Sequence, residues 1–159
     1  MTMGVLESIT GHLSTLLDER ASFEARYGKK AVVFLEHLPA LFRLFHRLTF
    51  EFALTTQARQ KSASVAVYIA EHQDFVGEAT RGAEGLIDDV WIAYTVLAQL
   101  LETVPDEVLR AHWRSEASFD EVTALAPNVG TLDDLVPSRV LTLARQFLGL
   151  EDPEVSAEA

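Results

Sequence analysis

Leu41, Phe45, Leu48 and Phe52 recur at i, i+4, i+7 and i+11, and that spacing lines up on one face only if the chain is helical. Arg43, His46, Arg47 and Phe50 fall on the opposite face, so Leu41 to about Leu54 reads as a strongly amphipathic helix. The same period runs through the rest of the chain. Val5, Leu6, Ile9, Leu13, Leu16, Leu17 and Phe23 predict a helix that stops at Gly28. Ala31-Val32-Val33-Phe34-Leu35 is short and apolar, but no partner strand pattern lies near it, so it too reads as helix. Pro39 then opens or kinks the next one.

Further on, Thr55 or Thr56 caps a helix running to about His72, with Ala63, Ala66, Val67, Tyr68, Ile69 and Ala70 as a close-packing surface. A polar, glycine-bearing loop follows. Leu86 or Ile87 opens a helix to about Thr103, with Val90, Trp91, Tyr94, Leu97, Ala98 and Leu101 as its buried stripe. Pro105 starts a short helix to Trp113, and Ser118-Phe119-Asp120-Glu121 has the form of a capping box. Pro127-Asn128 ends that helix, and Gly130 to Gly149 is the last element. The expected fold is all-α: one compact bundle of six to eight helices over residues 1–150, followed by an acidic, disordered tail at 151–159. The 65–72 and 88–103 helices are expected to pair antiparallel.

The chain has 159 residues, 48% of them hydrophobic, which is enough for a single domain to bury a core. It has no cysteine, so disulfides, thiolate metal sites and a cysteine nucleophile are excluded, and a reducing, cytoplasmic setting is expected. The first residues show no signal-peptide pattern. No window reaches about 18 uncharged apolar residues, the length a spanning helix needs.

The net charge of -11 argues against nucleic acid as a partner. It is unevenly spread. Between Arg20 and Lys61 the balance is +5, which leaves -16 for the remainder. Such a dipolar chain is suited to self-association or to a protein partner through its basic third. The candidate partner face is Arg43, Arg47 and Phe50. A basic helix with an exposed aromatic also allows a membrane-surface role, although repulsion from the acidic remainder opposes it.

The second candidate site is acidic. Asp74 and Glu78 precede the glycine loop, and Asp88 and Asp89 follow it. If the loop turns the chain back, these carboxylates converge, and they then need a cation, a proton or an arginine between them. Arg81, inside the loop, is the nearest arginine. One reading is helix capping plus an Arg81 salt bridge, with Asp88 and Asp89 in the first turn of a helix. The other is a divalent cation site for Mg²⁺, Ca²⁺ or Mn²⁺, formed by Asp74, Glu78, Asp88 and His72.

These residues also carry a resemblance. His72-Gln-Asp74-Phe-Val76-Gly77-Glu78, followed by Gly85-Leu-Ile-Asp88-Asp89, resembles the hallmark of the YkvA-like family, a domain of unknown function with the pattern Pro-x-Asp-x-Ile-Pro-Asp and then Gly-x-x-Asp-Asp. His72 and Gly77 stand where the family has prolines. The likeness spans roughly residues 39–102. It implies a helical domain and assigns no reaction. No phosphate loop, nucleophile elbow or His-Glu-x-x-His pattern is present. The leading functional expectation is therefore a non-catalytic interaction or assembly module. The alternatives are a metal-binding protein or metal-dependent enzyme at the acidic site, and a peripheral membrane protein.

Overall fold

The computed structural model describes residues 28–75 and 78–136 as continuous backbone, together with isolated positions at 4, 6, 7, 10, 11, 21, 24, 25 and 142. The side chains of 71–86 and 133–135, and the 151–159 tail, lie outside the described residues. Among the described residues the chain is all-α, with six α-helices and one 3₁₀ segment.

The helices are α1 (Lys29–Glu36), α2 (Leu38–Leu48), α3 (Thr56–Phe75), α4 (Glu78–Thr103), α5 (Asp106–His112) and α6 (Phe119–Leu125), followed by the 3₁₀ segment Ala126–Leu135. Punctuation residues set most boundaries. Gly28 sits at φ +90, where a side chain would be strained, and its N–H closes on the Glu24 carbonyl at 2.8 Å. Pro39 lies in the first turn of α2, where its missing N–H costs nothing. Thr55 Oγ1 accepts from the Ala58 N–H at 3.1 Å and caps α3. Ser118 Oγ accepts from the Asp120 N–H at 3.1 Å and caps α6.

The long helix α4 is the centre of the fold. It packs against α1, α2, α3, α6 and the 3₁₀ segment, while α5 leans on α2. Every residue from Ile87 to Tyr94 is buried. A helix covered on all sides has no solvent face, so its stripe is wider than the sequence period indicates: Ile92, Ala93, Val96 and Leu100 are as buried as Val90 and Leu97. Phe34 of α1 meets Tyr94 edge-on at 4.9 Å. α3 and α4 run antiparallel, and Lys61 near the start of one bonds Gln99 near the end of the other at 3.1 Å.

Three expectations need correction. The glycine loop is not a loop through Gly85: α4 begins at Glu78 and includes Gly82 and Gly85, so only 76–77 separate it from α3. Burial on all sides holds the later part of α4 in place, and its helix propagates back through two glycines that cost only about 1 kcal/mol each. The amphipathic helix ends at Leu48 rather than Leu54, which puts Phe52 at 84% exposure instead of in the core. Val67, assigned above to a packing surface, is 47% exposed; Ala58, Val65 and Ser62 fill that side of α3 instead.

Candidate functional site

The outer face of α2 and the loop that follows it form the candidate site. Leu38, Leu41, Phe42, Leu44, Phe45 and Leu48 turn inward, so the geometry of a helix forces Arg43 and Arg47 outward, where both are exposed. Phe50 follows in the turn past the end of the helix and is 66% exposed. The three residues lie at i, i+4 and i+7, the face the sequence period marks.

The loop explains the second ring. Past Leu48 the backbone tightens into three-residue turns. Phe50 N–H donates to the Arg47 carbonyl at 3.2 Å, Glu51 N–H to Leu48 at 3.1 Å and Leu54 N–H to Glu51 at 3.2 Å. Leu54 takes the core position at 6% exposure, and the shortened path throws Phe52 into solvent. Both rings have neighbours along the surface. The Arg59 guanidinium lies 5.2 Å from the Phe52 centroid, and His46 meets Phe50 edge-on at 5.6 Å and Phe42 at 6.2 Å.

Glu51, the acid between the two phenylalanines in sequence, faces elsewhere. Its Oε1 lies 3.5 Å from Nε2 of His112 at the end of α5. The loop's only carboxylate is thus engaged on the α5 side, and Phe52 keeps Arg59 as its charged neighbour. The spacing of Arg43, Arg47 and Phe50 marks half of this surface. Phe52, Arg59 and the Glu51–His112 pair are not marked by it. One signal was available: Thr55 starts a new helix, which leaves no room for α2 to continue to Leu54.

The acidic candidate divides. The side chains of His72, Asp74, Glu78 and Arg81 lie outside the described residues. Asp88 and Asp89 do not sit in a first turn. They lie inside the 26-residue α4, at 4% and 0% exposure, and each is engaged in a polar interaction. Buried carboxylates need such partners, because an uncompensated charge in a core is costly. Among the described residues no group of three or more His, Asp or Glu is placed to hold a metal ion.

A cleft of about 570 Å³ opens where α3 begins and α4 ends. Leu54, Ala58 and Leu100 form its floor, with Lys61, Gln99 and Glu102 on its walls. Tyr94, fully buried, has a hydroxyl with no hydrogen-bond partner among the described residues, and burial together with the Glu36 charge pushes its phenol well above the usual range.

Among the described residues no helix is long and apolar enough to cross a membrane. No protein-family model, characterised protein or solved structure matches the chain.

Proposed function

We propose that this protein is a non-catalytic interaction module that docks a protein partner through the outer face of α2. One observation carries the reading: Arg43 and Arg47 stand exposed on a helix whose other face is buried in the core, and Phe50 is exposed in the turn just past its end, within a chain whose net charge is -11. A cationic patch on an acidic protein speeds encounter with an acidic surface, and salt weakens the attraction. Arginine and aromatic residues are also the types enriched at interface centres. The motif likeness at residues 72–89 to the YkvA-like helical domains accords with a role that needs no catalytic set.

Sedimentation velocity of the labelled chain in cell extract, at low and high ionic strength, tests this. A faster-sedimenting species should form at low salt, dissolve at high salt, and fail to form with the double variant Arg43→Glu, Arg47→Glu. A single slow species under all conditions would sink the proposal.

A further inference from the structure

Resting on that reading, we infer that the occupant of the α2 face and its following loop is an acidic segment of another protein that carries an apolar anchor, with carboxylates for Arg43, Arg47 and Arg59 and apolar contact for the exposed rings of Phe50 and Phe52. Two features of the surface set this chemistry. It offers guanidinium groups, which pair with carboxylates through two parallel hydrogen bonds. It also offers two rings that remain 66% and 84% exposed. Charge alone would leave the rings wet, and an apolar anchor alone would leave the arginines unused. The rings are also steadied beforehand, Phe52 under Arg59 and Phe50 against His46. A surface fixed before binding loses less side-chain freedom on contact.

Two other occupants fit less well. A second copy supplies carboxylates on α5 and α6, where Asp106 and Asp120 are already bonded to Arg110 and Glu107 and Glu121 stand exposed. The large apolar side chains exposed among the described residues are Val33, Phe50, Phe52 and Val67, on α1, α3 and the loop itself. None accompanies the acids of α5 and α6, so that face has charge without an anchor. An anionic lipid surface attracts the arginines, and the excess of acids elsewhere on the chain repels it. Rings lying beside Arg59 and His46 present an area to be covered rather than a wedge to be inserted.

The test uses the full chain and a displayed library of short random peptides. Selection should enrich sequences with aspartate or glutamate next to phenylalanine, leucine or tryptophan. A synthesised winner should bind about tenfold or more weakly to Phe52→Ala and to Arg47→Ala, with the melting temperature of each variant unchanged. Enriched peptides that bind Phe50→Ala and Phe52→Ala as well as the parent, or that lack acidic residues, would overturn the inference. So would Phe52-dependent binding to phosphatidylserine vesicles in place of peptides. Self-association of the pure chain that disappears in Phe52→Ala would overturn it in favour of a second copy. If no peptide is enriched while the extract complex still depends on salt and on Arg43 and Arg47, the interaction module stands and only this account of its partner fails.

Discussion

Helices α2 and α4 bury apolar residues in the same core, but they use their polar residues in opposite ways. In α2 the two sides differ completely: Leu41, Phe45 and Leu48 have no exposure, while Arg43 and Arg47 face water. In α4 the stretch Ile87–Tyr94 has no water-facing side, and Asp88 and Asp89 are buried with the rest. A polar residue on a half-buried helix is free to meet a partner. On a helix buried all round it must be satisfied inside the fold. The arginines of α2 are thus available for function, and the aspartates of α4 are tied first to the structure.

Substitutions sharpen this contrast. The largest effect is expected from Phe45→Ala, which empties a fully enclosed site and should destabilise the fold by about 3–5 kcal/mol in denaturant unfolding. The same change at Phe50, on the other side of the same region, should alter stability by no more than about 0.5 kcal/mol. Comparable losses at both positions would erase the distinction between the faces.

Asp89→Asn comes next. It keeps the size of a buried, engaged carboxylate and removes its charge, which should destabilise by about 1–3 kcal/mol because the group it interacts with loses a charged partner. An unchanged melting temperature would mean that the buried acid contributes nothing to the fold.

A smaller effect than that of Asp89→Asn is expected from Tyr94→Phe. Removing a buried hydroxyl that has no partner among the described residues should leave stability unchanged or raise it by up to about 1 kcal/mol at neutral pH. Its sign can be followed with pH. Burial and Glu36 raise the folded-state value, so the unfolded chain ionises first. The folded state then loses stability as pH climbs above about 10, the ordinary tyrosine value. The Phe variant should lose less over that range, which alkaline melting curves would show.

What the sequence made legible follows from the same contrast. The period at Leu41, Phe45 and Leu48 identified α2, its inward side and its two arginines, because an amphipathic helix writes its environment into its spacing. Gly28, Pro39, Thr55 and Ser118 marked ends, because capping and φ restrictions are local. Phe52 was assigned to the core because the period continues through it; the chain stops α2 earlier, where Leu54 can fill the same space by a tighter path. The glycines before Asp88 and Asp89 predict first-turn acids, because acids favour helix starts. Only the packing of α1, α2, α3, α6 and the 3₁₀ segment around α4 shows them to be interior, and that information is spread over the whole chain. Whether Asp74 and Glu78 join them falls on side chains outside the described residues.

The docking claim is met most directly by hydroxyl-radical footprinting of the chain in cell extract, read residue by residue at low salt and again at high salt. Phe50 and Phe52 should be protected at low salt and become reactive at high salt, while Val33 and Val67, exposed on other helices, react equally in both. Equal reactivity of Phe50 and Phe52 under the two conditions, or protection centred on Val33 or Val67 instead, would contradict the account.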